Sequence, residues 1–224
     1  MNIIEAASKN NLKLVQSLLK DGADVNSANE FKETVLHFVV YFNDLETLQL
    51  LLENNVNLNA QNKYGETALH WAARWGHISV ARILIESGIN VNMQDHILQT
   101  ALFHAIHRAR NQDLEELFIK HSALNIRNIN GETCLFTAIF WGHIETVDLL
   151  IKAGVNINIA NHCNQTALTY AAHSQKLLIT SLLLKAGADM SVIDVDNKTA
   201  LQYLIDYTDP LVQSEIVALI INRS

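Results

Sequence analysis

Ten histidines and two cysteines are the side chains of this 224-residue chain best suited to metal or nucleophilic chemistry. His104 and His107 stand three residues apart, a spacing that turns both imidazoles to one face of a helix, as two ligands of one metal ion require. No cysteine or further carboxylate joins them at the short spacings of a zinc site. Cys134 and Cys163 are expected to stay unpaired, as in a reducing compartment. A nucleophile needs a base and an orienting group converging on it. The chain holds no G-x-S-x-G, H-E-x-x-H or phosphate-loop pattern. The expectation is no catalytic residue, no metal and no cofactor. Arg108 and Arg110 suggest a different chemistry, since two close guanidinium groups suit a carboxylate-bearing or phosphorylated peptide.

The elements that must position these side chains follow from a period. Threonine returns every thirty-three residues, at Thr34, Thr67, Thr100, Thr133, Thr166 and Thr199, each followed two residues later by a leucine. Asparagine keeps the same step at Asn26, Asn59, Asn92, Asn125 and Asn158, with Ser191 in the next slot. All eight glycines obey it. Gly65 and Gly131 precede a threonine by two, Gly76 and Gly142 follow one by nine, and Gly22, Gly88, Gly154 and Gly187 share the slot twenty-one after it. A fixed period of this size means one small unit stacked many times.

Residues 63–94 show what the unit must be. Thr67 suits a helix N-cap, its hydroxyl accepting from the backbone N–H about three residues on. Leu69, Ala72 and Ala73 give an apolar stripe at helical spacing. Gly76 can stop that helix in a left-handed conformation. A second helix is expected from about Ile78 to Ser87, with Val80, Ile83, Leu84 and Ile85 inward and Gly88 ending it. Helices this short cannot bury their own apolar faces, so a core forms only between neighbouring units. The expected object is a curved, right-handed stack whose long surface suits binding rather than catalysis.

Gly65-Glu66-Thr67-Ala68-Leu69-His70-Trp71-Ala72-Ala73-Arg74-Trp75-Gly76-His77 resembles the ankyrin repeat pattern, as do Asn130-Gly131-Glu132-Thr133-Cys134-Leu135 and Gly22-Ala23-Asp24-Val25-Asn26. The likeness covers essentially the whole chain. It implies an all-α ankyrin-repeat solenoid, helix-turn-helix units joined by β-hairpin-like turns, with about seven repeats including both caps. These form one domain: an N-cap at 1–28, full repeats at 29–61, 62–94, 95–127, 128–160 and 161–193, and a C-cap at 194–224. His37 and His70 fall in the pattern's own histidine slot, and His77 and His143 follow its mid-unit glycine, so these four are read as structural. The family's proline after the threonine is absent from all six slots, a loss of up to roughly 1 kcal/mol per site. The first position of each repeat is Asn29, Asn62, Asn128 or Asn161, with aspartate at Asp95 and Asp194; asparagine can still make the side-chain-to-backbone turn. The 95–127 repeat departs most. It lacks the framework glycines, and aligning Leu114, Leu117, Phe118 and Ile119 with Val80, Ile83, Leu84 and Ile85 takes one extra residue between its helices.

In the resembled family, partners meet the turn tips and the inner face of the first helices. Those slots hold Phe31 and Tyr64 at the tips, and Tyr41, Phe42, Arg74, Trp75, His107, Arg108, Phe140 and Trp141 on the helices, with Arg110 just beyond. Aromatic and arginine side chains dominate binding energy at interfaces. The resemblance therefore implies a non-catalytic adaptor or scaffold, a monomer that binds a partner protein or peptide on its concave face. One alternative is a small-ligand or nucleotide sensor, with Trp75, Arg74 and Arg108 stacking and clamping the ligand. A second is a host-directed microbial effector, since the asparagine, isoleucine and lysine usage hints at an AT-rich genome.

The net charge is −7 and no basic block exists, so nucleic acid is not an expected partner. No apolar run approaches a membrane span. Met1-Asn2-Ile3-Ile4-Glu5 has no basic region before a long apolar run, so no secretory signal is expected. The expected location is the cytoplasm, or a host's cytoplasm for an effector.

Overall fold

The computed structural model describes residues 2–108 and 111–207. Among these residues there are thirteen helices and no strand. The helices come in pairs: α1 (Ile3–Ser8) with α2 (Leu12–Lys20), α3 (Val35–Tyr41) with α4 (Leu45–Glu53), α5 (Ala68–Trp75) with α6 (Ile78–Glu86), and α7 (Ala101–Arg108) with α8 (Gln112–His121). The series continues with α9 (Cys134–Trp141) and α10 (Ile144–Lys152), then α11 (Ala167–His173) and α12 (Leu177–Lys185), and α13 (Ala200–Tyr207). The expected C-cap is described only as far as α13.

The chain falls into two compact units divided between Ser122 and Ala123, inside the irregular 95–127 repeat. In the first unit α1, α3, α5 and α7 pack in sequence, and α2, α4, α6 and α8 make a second row. In the second unit α9, α11 and α13 pack in sequence, with α10 against α12.

The buried residues show why the elements form. Ala68, Leu69, Ala72 and Ala73 of α5 are buried, as are Val80, Ala81 and Leu84 of α6. The small alanines let neighbouring helices approach closely. Ile83 and Ile85, expected inward, are only half-buried. A helix advances about 100° per residue, so the two isoleucines flank Leu84 rather than sharing its face. The helix also ends at Glu86, with Ser87 as its cap and Gly88 at φ +87° turning the chain away.

The glycine slots keep their backbone shape even where glycine is missing. Lys32, Leu98, Asn164 and Asn197 stand two residues before a threonine, as Gly65 and Gly131 do, with φ of +57°, +60°, +55° and +61°. The slot demands the left-handed region in every repeat, and a leucine or lysine there is strained.

Side chains close the turns. Asn62 Oδ1 accepts the N–H groups of Tyr64 and Glu66 at 2.8 and 3.0 Å, and the Asn62 N–H donates to the Glu66 carbonyl at 2.9 Å. Asn29, Asp95, Asn128, Asn161 and Asp194 make the same set of bonds. The hairpin-like turns therefore need no ladder; an isolated Ala28–Thr34 bridge is the β pairing seen among the described residues. The periodic asparagines link one repeat to the next. Asn26, Asn59, Asn125 and Asn158 accept the N–H of Asn57, Asn90, Asn156 and Asp189 at 2.7–2.9 Å.

In the 95–127 repeat, α8 has ten residues and starts one position late. Leu114, Leu117, Phe118 and Ile119 are all buried. Asn111 caps the helix through its side chain, and Ser122 ends it in extended geometry in place of a left-handed glycine. No described helix is long and apolar enough to cross a membrane.

Candidate functional site

Histidines are the first candidates, and two of them are framework. The Thr67 N–H donates to His70 Nδ1 at 3.0 Å, so Nδ1 carries no proton and Nε2–H is free to donate to the Gln99 carbonyl at 3.2 Å. His37 repeats this with Thr34 and the Glu66 carbonyl, at 3.2 and 3.1 Å. The threonine hydroxyls stand 3.0 and 2.9 Å from the same Nδ1 atoms, so at Thr34 and Thr67 the expected hydroxyl cap runs through imidazole. Each ring ties one repeat to the next. Burial lowers the pKa of both, His70 from 6.5 to about 4.

His104 belongs to a cluster that its spacing from His107 did not suggest. It joins His70 and Asp95, whose ligand-type atoms lie within 4.8 Å of one another. His104 Nε2 is 3.0 Å from Asp95 Oδ2, and Arg74 Nη2 is 3.4 Å from His104 Nδ1. The His70 nitrogens are already spent on Thr67 and Gln99, and those of His104 on Asp95 and Arg74. Asp95, His104 and Arg74 form a hydrogen-bonded chain, with the His70 ring edge-on to His104 at 5.4 Å. Spacing within one helix could not reveal it, because its members come from two repeats.

The chain continues through Arg74. Its guanidinium contacts Glu66 Oε1, while Glu66 Oε2 accepts from Asn62 Nδ2 at 3.1 Å and Trp71 Nε1 at 3.0 Å. Burial pushes the Glu66 carboxyl up, but the bonds from Arg74, Asn62 and Trp71 outweigh it, and the net shift is downward. Asp95 behaves alike: burial raises its pKa, and hydrogen bonds from His104 and the Gln99 and Ile97 N–H groups lower it further. Both groups are held as carboxylates.

Above this floor lies an aromatic surface centred on Trp71, a residue the repeat pattern did not single out. Its ring centroid is 5.3 Å from His37, 6.3 Å from Phe38 and 6.1 Å from Tyr41, all edge to face. Tyr41 also meets Phe42 at 5.0 Å and Trp75 at 5.2 Å. Phe38, Tyr41, Phe42, Trp71 and Trp75 line a hollow of about 200 Å³. Trp71 and Arg74 separate it from a larger cavity of about 460 Å³, walled also by Glu33, Tyr64, Glu66 and Asp95.

The expected site residues thus divide into groups. Tyr41, Phe42, Arg74 and Trp75 come together in the first unit, with Trp75 48% exposed. Phe31 and Tyr64 are exposed at the tips, bridged by Lys63, whose Nζ lies 3.8 and 4.9 Å from their ring centroids. His107 is exposed on α7. The Arg108 side chain and all of Arg110 lie outside the described residues. Phe140 and Trp141 form an exposed edge-to-face pair at 5.0 Å in the second unit. Arg74 is not a loose cation but is committed to Glu66. Glu33, Glu66, Asp95 and Trp71 lie outside the expected site residues, and the sequence presents His104 only as a metal-ligand candidate beside His107. The signal available was the slot: Glu33 and Glu66 share the one before the threonine, Trp71 and His104 share one in the first helix, and Asp95 opens its repeat.

The cysteines are free, Cys134 buried and Cys163 exposed. Burial pushes the Cys134 thiol up to about 12, which keeps it protonated and unreactive.

Comparison with known proteins agrees with this geometry. Family patterns described as "Ankyrin repeats (3 copies)" match residues 3–95 and 96–161, and one described as "Ankyrin repeat" matches 163–195. The chain is similar to the solved ankyrin repeat domain of Bcl-3, a member of the IkappaB protein family, at 23% identity and a TM-score of 0.84, over 96% of each chain. It is also similar to an ankyrin repeat domain from Acinetobacter baumannii AYE, at 32% identity and a TM-score of 0.75, covering 82% of this chain and 96% of that one. The comparison with curated proteins found no match. Six helix pairs among the described residues, the Asx-closed turns and the matched patterns lead to one conclusion: the chain belongs to the ankyrin repeat family, an all-α solenoid class of general protein–protein interaction modules that are typically non-catalytic.

Proposed function

We propose that this chain is a non-catalytic adaptor that binds a partner protein through the turn tips and first-helix face of its first unit. The observation that carries this reading is the aromatic hollow of Tyr41, Phe42, Trp71 and Trp75. It stays open to solvent although its walls are held by ring contacts and by the Arg74–Glu66 pair. Exposed clusters of large apolar side chains mark interaction surfaces more often than they mark enzyme sites. Rigid walls also reduce the ordering cost of binding.

Affinity capture from a lysate tests the reading, with the wild-type chain beside Trp75→Ala. The expected result is a captured protein that the variant loses while keeping its fold by circular dichroism. Equal capture by both would remove this surface from the function.

The cavity of about 460 Å³ favours a second reading, a small-ligand sensor, because its volume falls in the range of ordinary ligand sites. A thermal-shift screen separates the two, since a specific ligand raises the melting temperature by mass action.

A further inference from the structure

We propose that the partner presents a basic side chain next to an apolar one, the basic group entering the larger cavity and the apolar group the aromatic hollow. This rests on the adaptor reading above and names the chemistry of the partner.

The two depressions share a wall, Trp71 and Arg74, so they are adjacent halves of one surface. Their chemistries differ. The hollow is walled by aromatic rings. The larger cavity carries three carboxylates, Glu33, Glu66 and Asp95, against the one guanidinium of Arg74 and the imidazoles of His96 and His104. That guanidinium is turned onto Glu66 and toward His104, and His104 pairs with Asp95, which leaves Glu33 as the wall carboxylate with no ion pair among the described residues. Lys63 is stacked on Phe31 and Tyr64. Hydrogen bonds hold Glu66 and Asp95 ionised, so the negative field is permanent near neutral pH. Low-dielectric walls concentrate such a field and favour a cation. The Trp71 ring in the shared wall adds attraction for an ammonium or guanidinium group. An acidic partner would meet like charge here, which penalises wrong partners.

The test uses the full chain and three blocked probes: N-acetyl-phenylalanyl-arginine amide, its glutamate counterpart, and N-acetyl-phenylalanine amide. Indole N–H resonances of Trp71 and Trp75 are followed by NMR as each is added. The expected result is saturable shifts with the arginine probe, at an affinity about tenfold or more above either of the others. Asp95→Asn with Glu33→Gln should then weaken the arginine probe by about tenfold. This pair of changes removes charge but keeps the turn, because asparagine already fills the Asp95 slot at Asn29, Asn62, Asn128 and Asn161. Equal affinity for the three probes, preference for the glutamate probe, or no shift with any of them would overturn the proposal. If the probes fail while Trp75→Ala still abolishes lysate capture, the surface stands and its basic partner falls. If capture survives Trp75→Ala, the adaptor surface itself falls.

Discussion

Arg74 and Glu66 form an ion pair across eight residues of chain, joining the last turn of α5 to the turn tip that precedes it. Glu66 is buried, and Arg74 is its only cationic partner among the described residues. Truncating Arg74 therefore leaves a carboxylate held by Asn62 and Trp71 alone. Arg74→Ala should cost about 1–3 kcal/mol of stability. Adding Glu66→Gln should recover part of it. Urea denaturation of the single and double variants checks this; a neutral Arg74→Ala would show the pair to be idle.

Trp75 and Leu69 should separate binding from folding. Trp75 is exposed and meets Tyr41 edge-on, whereas Leu69 lies in the core of α5. Trp75→Ala should reduce partner affinity by about 2 kcal/mol or more, with a stability loss of about 1 kcal/mol or less. Leu69→Ala should cost about 2–5 kcal/mol through a cavity. Denaturation curves and affinity for the captured partner give both numbers, and a Trp75→Ala chain that unfolds would move Trp75 into the core.

Acid should weaken the fold before it reaches the carboxylates. His70 is neutral in the folded chain, its pKa lowered from 6.5 to about 4 by burial and by the nearby His104. The unfolded chain takes up a proton in that interval and the folded chain does not. Stability is thus complete above pH 6.5 and declines as pH falls toward 4, by about 3 kcal/mol for a shift of this size. His37 acts in the same direction. Glu66 and Asp95, held below their usual range, lose their contribution only at lower pH, as the carboxylates protonate. Urea midpoints measured from pH 7.5 down to about 4.5 should fall steadily; a flat profile contradicts the buried-imidazole account.

The glycine slots should rank by what a side chain would meet. At Gly65, φ +78°, a Cβ would lie 2.9 Å from the backbone N of His96, so Gly65→Ala should cost about 2–4 kcal/mol. At Gly88, φ +87°, the space is open, and Gly88→Ala should cost only about 1–2 kcal/mol. Leu98 occupies the Gly65 slot at φ +60°, and Leu98→Gly should stabilise by up to about 1 kcal/mol, less the extra freedom of glycine in the unfolded chain. Melting temperatures of the three variants give the order.

The sequence by itself determined the repeat, the paired helices and the turns. These depend on local bonding, on caps and left-handed slots, and on apolar residues recurring at helical spacing, all of which read directly from Thr67, Gly76, Leu69 or Asn62. Even the irregular repeat was legible, because its extra residue had to be recovered before Asn125. The site was less so. Phe31, Tyr41, Tyr64 and Trp75 were visible as slots the framework leaves free, but their partners were not. Only the tertiary structure decided that Trp71 is the hub, that Arg74 is committed to Glu66, and that His104 meets Asp95 and His70. The Trp71 and His70–His104 contacts join different repeats and depend on how one repeat is superposed on the next, while Arg74–Glu66 and His104–Asp95 depend on how a turn tip folds back over its own helix. A one-dimensional spacing carries no record of that superposition.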